Sequence, residues 1–305
     1  MLLRVNIFNT SSNLPLFAAL EHGYFAKRDL SIEVQNTPNS DEQRAGLAEG
    51  KFEIAHAAVD NAVAMIESGI EAVIVSGGDA GMNDFMVRAE INSMADLRGK
   101  CLAVDAPNTA YALAAKKILK LNGLLEGRDY KVKLAGGTGP RSAAMVLDAE
   151  LAAGMINPPF SFSVREKGLK SLGTQFDLLG PYQATGAFVM RHWVNNESAN
   201  NGDALERYLA AYTEGQRYVM NLANRSEMIA LLTRRFKLAP GAAEGTYDAV
   251  LKLGSGLAPD ASFSDEGFES VLAIRAEMEG TWSGVPPPIE KYVDLSYHRR
   301  ALNRI

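Results

Sequence analysis

Leu14–Thr37 reads LPLFAALEHGYFAKRDLSIEVQNT, and this stretch, with the strand ahead of it, decides the fold. Before it, Leu3, Val5 and Ile7 alternate with Arg4, Asn6 and Phe8, the period-2 pattern of a strand. Asn9–Asn13 (NTSSN) then sets a run of polar turn-formers ahead of an apolar helix, in which Phe17, Leu20 and Tyr24 recur at i, i+3 and i+7. Gly23 and Asp29 mark the exit of that helix, and Leu30, Ile32 and Val34 alternate as a second strand. The loop of this strand–loop–helix–strand unit lies where the C-terminal edge of a sheet meets a helix N-terminus. Unpaired backbone N–H groups there suit an anion or a polar ligand.

Working outward, SDEQ from Ser40 has the form of a capping box for a helix ending at Gly50. FEIAHAAV follows as a buried strand, Asp60 as the N-cap of NAVAMIES, and EAVIVS as a further strand broken at Gly77–Gly78. Asp84–Ile91 (DFMVRAEI) fits a crossover into a second lobe. There CLAVD, KVKLAGG and LAAGMIN read as strands, and Ala110–Leu121 and GTGPRSAAMVLDAE as helices. Gly186–His192 (GAFVMRH) fits the return. The expected divisions are 1–86 for the first part of lobe one, 87–187 for lobe two, and 188–305 for the return with C-terminal helices. Those helices begin with Asp203–Leu222 and Ser264–Glu279, and PPPIEKYVDLSY reads as a last helix introduced by prolines.

The first unit also resembles a known family. LPLFAALEHGYFAKRDLSIEV is similar to the opening of the solute-binding proteins of ABC importers for sulfonates, nitrate, taurine and thiamine-pyrimidine precursors. GKFEIAHAAV (Gly50–Val59), MADLRGKCLAVDA (Met94–Ala106) and MINPPFSF (Met155–Phe162) continue the resemblance in the family's order. It implies an α/β, type II periplasmic-binding-protein fold. Two α/β lobes would be joined by two crossover strands, with the C-terminal helices packed on lobe one and a ligand held between the lobes. The implied partners are a small-molecule ligand and, if the protein is exported, an ABC-transporter permease.

Composition narrows the alternatives. The chain has 305 residues, 47% hydrophobic and 22% charged, enough for two lobes. A net charge of −5 without a basic stripe argues against nucleic-acid binding. Cys101, the single cysteine, excludes an intrachain disulfide and reads as a small buried hydrophobe in CLAV. Met1 runs directly into the first strand, where a secreted protein carries a basic segment and an apolar core. The expected location is therefore periplasmic or extracytoplasmic if a leader was removed, and cytoplasmic if Met1 is the native start.

Ligand residues are expected on loops at the strand C-termini, facing the cleft between lobes. The candidates are Ser11, Ser12 and Asn13; Thr37 and Asn39; Asp60; Asn108, Thr109 and Tyr111; Thr138 and Arg141; and Asn157. Thr109 heads a helix, Arg141 offers a bidentate fork, and Tyr111 and Phe160 offer apolar walls. Each also has a plainer reading: Ser, Thr and Asn as caps, Arg141 as a solvated charge, Tyr111 as core, Asp60 as a cap alone. His56 reads as core, His22 as a cation at a helix end, and His192 and His298 as surface. No His pair has metal-ligand spacing, and HExxH, CxxC, GxSxG and the P-loop pattern are absent, so neither metal nor cofactor is expected. Two readings remain: a binding protein that closes over a small organic anion and delivers it to an importer, or an enzyme on the same fold, such as an aromatic-acid decarboxylase or lyase.

Overall fold

Two five-stranded sheets built on one plan divide the chain into lobes. The computed structural model describes residues 1–305. The chain opens with β1 (Leu2–Ile7), α1 (Leu14–Glu21), β2 (Ser31–Asn36), α2 (Ser40–Ala48), β3 (Ile54–Ala58), α3 (Val59–Glu67) and β4 (Ala72–Gly77). It then enters the second lobe as β5 (Asp84–Val87), β6 (Cys101–Val104), α4 (Ala110–Leu121), β7 (Lys131–Leu134), α5 (Thr138–Leu147) and β8 (Leu151–Ile156). That lobe ends with α6 (Phe160–Arg165), β9 (Lys170–Thr174) and α7 (Gln175–Leu179). β10 (Thr185–Met190) returns to the first sheet. The helices α8 (Arg191–Val194), α9 (Asn201–Met220), α10 (Arg225–Phe236), α11 (Pro240–Leu251), α12 (Asp265–Glu279) and α13 (Ser296–Leu302) follow.

The strand orders are β2-β1-β3-β10-β4 and β7-β6-β8-β5-β9. In each sheet four strands run the same way, and the strand arriving from the other lobe, β10 or β5, runs antiparallel to both neighbours. This exchange of strands is the type II periplasmic-binding-protein fold. The chain passes between sheets at residues 78–83 and 180–184. Because the parallel strands of each sheet point the same way, their C-terminal loops gather at one edge, which faces the other lobe.

Lobe one is held by apolar faces meeting over the sheet. Leu3, Val5 and Ile7 of β1 share a core with Leu16 and Phe17 of α1 and with Leu205, Tyr208, Leu209 and Tyr212 of α9. Gly215 lets α9 approach α1 closely, since a Cβ there would stand 2.8 Å from Ala19 Cβ. Phe85, Leu102, Ile118, Leu119 and Met155 fill lobe two. Helix α12 serves both lobes: Phe268, Val271 and Leu272 pack in one cluster with Leu113 of α4. No helix is long and apolar enough to cross a membrane.

Several local expectations are corrected. Asn39, not Ser40, caps α2, accepting from the Glu42 N–H at 2.8 Å. Ser40 donates instead to Asp105 across the cleft, and Gln43 donates to Asn6 Oδ1 at 2.9 Å. Asp60 lies inside the first turn of α3 rather than capping it. Cys101 is half-buried at the start of its strand. His298 is buried, with Nε2 2.7 Å from the Asp260 carbonyl, so it is not a surface residue. The proline-led segment near Pro286 forms only a short turn at Ile289–Lys291, and the last helix starts at Ser296.

Candidate functional site

The two rows of loops enclose a cavity between the lobes, the place where two-lobed α/β proteins hold small molecules. Lobe one lines it with Phe8, Thr10, Ser12, Asn13, Ser40, His56, Ala57, Ala58 and Asn61, and with Thr185 and Tyr212. Lobe two supplies Ala103–Asp105, Thr109–Ala112, Gly137, Thr138, Arg141, Met155 and Asn157.

Of the residues singled out in the sequence, Ser12, Asn13, Thr109, Tyr111, Thr138, Arg141 and Asn157 meet at this cavity. Ser11, Thr37, Asn39, Asp60 and Asn108 do not line it. Ser11 Oγ donates to the Pro158 carbonyl at 2.9 Å, Thr37 Oγ1 to the Asn39 carbonyl at 3.0 Å, and Asn39 is occupied as a cap. Asp60 is consumed by a buried ion pair with Arg275. Phe160 packs against the small core around Met145 rather than forming a wall of the cavity. Thr10, Ser40, His56, Asn61, Asp105, Thr185 and Tyr212 line the cavity without having been read as ligand residues.

Helix N-termini converge here. The N–H groups of Ala110, Tyr111 and Ala112 have no acceptor in the protein, and the Thr109 hydroxyl donates to the Ala106 carbonyl rather than capping the helix. At α5 the N–H groups of Thr138 and Gly139 are likewise without partners. Each helix end brings partial positive charge to the cavity wall.

Arg141 adds a full charge. Its side chain is 3% exposed and donates to the carbonyls of Met155 (3.1 and 2.9 Å) and Gly136 (2.7 Å), leaving no carboxylate within ion-pair distance. Burial pushes its pKa down to about 10, against some support from Asp105, so it stays cationic at neutral pH. Thr138 Oγ1 donates to Asn157 Oδ1 at 2.8 Å, which fixes both side chains beside it.

The lobe-one lining is polar but includes no Asp, Glu, Lys or Arg; the carboxylates nearby are Asp105 of lobe two and Asp79 of the passage between lobes. Ser12 Oγ is buried without a close hydrogen-bond partner, and approaches the Asp79 carboxyl, whose charged form it stabilises weakly. His56 Nε2 lies 2.8 Å from the Tyr208 hydroxyl, and its ring stacks on Tyr212 at 4.7 Å. Burial lowers the His56 pKa to about 3, so the ring is uncharged. Asp79, on the first passage between lobes, accepts from the Thr185 hydroxyl at 2.5 Å and from the Gly81 N–H at 3.0 Å. Burial raises its pKa, and these hydrogen bonds partly offset the rise. Asp105 spends Oδ2 on the Ser40 hydroxyl (2.7 Å) and N–H (3.2 Å) from the other lobe.

A family model described as NMT1/THI5 like matches residues 10–224. No curated protein matches the chain in sequence. Among solved structures, the ligand-binding component of an ABC-type import system from Staphylococcus aureus, with zinc bound, is 11% identical, with a TM-score of 0.82 over 99% of each chain. The nitrate-binding protein NrtA from Synechocystis PCC 6803 is 16% identical, with a TM-score of 0.79, over 100% of this chain and 89% of that one. The alkanesulfonate-binding protein SsuA from Xanthomonas axonopodis pv. citri, bound to MOPS, is 17% identical, with a TM-score of 0.74 over 94% of each. These neighbours share the fold.

Proposed function

This chain belongs to the NMT1/THI5-like family, and we propose that it binds a small organic anion, a sulfonate or carboxylate, between its lobes and delivers it to an ABC-type importer. The observation that carries the reading is Arg141, a buried cation with no carboxylate partner, beside two helix N-termini with unpartnered N–H groups. A buried charge left unpaired is costly, and an anion entering the cavity supplies the missing partner. Tyr111, Tyr212 and Phe8 give an organic body an apolar, aromatic wall, which a bare inorganic ion does not need. Sulfonate and nitrate binding by the structural neighbours agrees with an oxyanion.

Transfer rests on a hinge. Ser40 bonds Asp105 and Ser11 bonds Pro158 across the cleft, contacts that exist only when the lobes meet. A ligand touching both walls adds its own contacts to that state alone and shifts the equilibrium towards closure. The closed protein then docks on a permease, which places it outside the cytoplasmic membrane. The test is a thermal-shift screen against alkanesulfonates, aromatic and aliphatic carboxylates, nitrate and pyrimidines, with mass spectrometry of each hit. An anion that stabilises the protein and is recovered unchanged supports the reading; an anion converted to product replaces it with a decarboxylase or lyase.

A further inference from the structure

Arg275 on α12 lies outside the cavity, yet it touches the segment that builds one of its walls. Its Nε and Nη2 donate to Asp60 Oδ1 and Oδ2 at 2.7 and 2.9 Å, and Nη1 pairs with Glu279. Nη2 also donates to the carbonyl of Asn108 at 3.1 Å, in the other lobe. The Arg275 and Asp60 side chains are 6% and 3% exposed. Two residues beyond Asn108 begin the free N–H groups of α4 that face the cavity.

A buried ion pair contributes little net stability over apolar residues of similar shape, because desolvation offsets the attraction. What this pair supplies is direction. Asp60 grips the Nε–Nη2 edge of the guanidinium and Glu279 holds Nη1, so the remaining Nη2 proton points across the boundary between lobes at one carbonyl. Glu277 reaches the same helix through Lys117 (2.5 Å) and Lys120 (2.9 Å), but those pairs are more exposed and weakened by salt.

We propose that Arg275 is a positioning residue of the ligand site: braced by Asp60 in lobe one, it bolts the Asn108 turn of lobe two and holds the α4 N-terminus against the cavity in the closed protein. The proposal rests on the reading that the lobes open and close. It assigns Asp60 a purpose other than ligand contact, and it makes a helix from the C-terminal part of the chain a component of closure.

The test reads lobe separation without any ligand. Spin labels go on Ser31→Cys in β2 and Lys131→Cys in β7, on a Cys101→Ser background. These strands are the sheet edges remote from the exchanged strands, so a rotation about the crossovers would displace them. Arg275→Met alone strands a buried carboxylate, so the main variant is the double substitution Asp60→Asn with Arg275→Met. Arg275→Lys, which keeps Asp60 paired but cannot also reach Asn108, provides a second variant that folds with the charge intact. Urea unfolding is recorded for each. In both variants the longer-separation population is expected to rise about tenfold relative to the parent, the equivalent of losing one charge-assisted hydrogen bond. Glu277→Gln is expected to leave the distribution unchanged at 0.15 M salt, near the physiological ionic strength at which exposed pairs are screened. An unchanged distribution in the folded variants overturns the proposal, as does an equal shift in Glu277→Gln. A variant that opens in a protein that binds none of the screened anions would contradict the binding reading and leave the bolt standing.

Discussion

The Gly137 N–H of lobe two donates to the Pro38 carbonyl of lobe one at 3.2 Å, directly over the cavity. A side chain at Gly137 has no room in this closed arrangement: its Cβ would sit 2.8 Å from the Pro38 oxygen and 3.3 Å from the Phe8 ring. The backbone there has φ −60°, which alanine adopts freely, so the obstacle is entirely in the other lobe. Gly137→Ala should therefore leave unfolding in urea within about 0.5 kcal/mol of the parent. Anion affinity by calorimetry should fall about tenfold or more, since closure now costs an overpacked contact. A loss of stability with affinity intact would show that the contact is structural.

Arg141 gives a paired prediction. Arg141→Met removes the cation and the donors to Gly136 and Met155, which should cost about 1–3 kcal/mol of stability and about 10–100-fold in anion affinity. Arg141→Lys keeps the charge but not the fork, so it should recover part of the affinity and little of the stability. Calorimetric titration beside urea unfolding separates the two effects.

Ser12 should behave in the opposite sense. Its hydroxyl is buried without a close partner, so deleting it removes a desolvated group at the loss only of a weak, long approach to Asp79. Ser12→Ala is expected to leave the free protein as stable as the parent or slightly more so. Its affinity for the anion should drop about three- to tenfold, the value of one neutral hydrogen bond.

Acidity should weaken the fold before the ordinary carboxylates titrate. His56 has a folded pKa of about 3 against 6.5 unfolded, so between those values the unfolded chain holds a proton that the folded one excludes. Its contribution is complete above pH 6.5 and declines as pH falls, by about 1.4 kcal/mol per unit, or about 2 kcal/mol between pH 6.5 and 5. His298, lowered chiefly by burial, acts in the same direction. Asp79, raised by burial, acts in the opposite direction within the acid range. Urea titrations at pH 7 and pH 5 should show a smaller difference in His56→Gln than in the parent.

The fold was legible where local pattern and tertiary role coincide. β1, α1 and β2 announce themselves because Leu3, Val5, Ile7 and Phe17 take their periodicity from one buried face. β9 escaped notice because Lys170–Thr174 is half-buried along its whole length and shows no alternation. At the site, loops next to strand ends are visible as polar runs, and Ser12, Asn13, Thr109 and Thr138 lie in them. Tyr212 does not, since it is mid-helix on α9 and reads as plain amphipathic spacing. Asp60 looked like a cap because its partner, Arg275, lies 215 positions away, a separation no local pattern reveals. His56 reads as core and is held there by Tyr208, but it also forms part of the cavity wall, which its place inside a strand does not reveal.

The central claim is that the cavity takes a small organic anion on Arg141 and the helix ends around it. Isothermal titration of the parent and of Arg141→Met with the anions that stabilise the protein in the thermal screen tests it most directly. The account predicts one-to-one binding by the parent, recovery of the anion unchanged, and loss of most of the affinity in the variant. Equal binding by both proteins, or tight binding of a cation or a neutral compound where every anion fails, would contradict it.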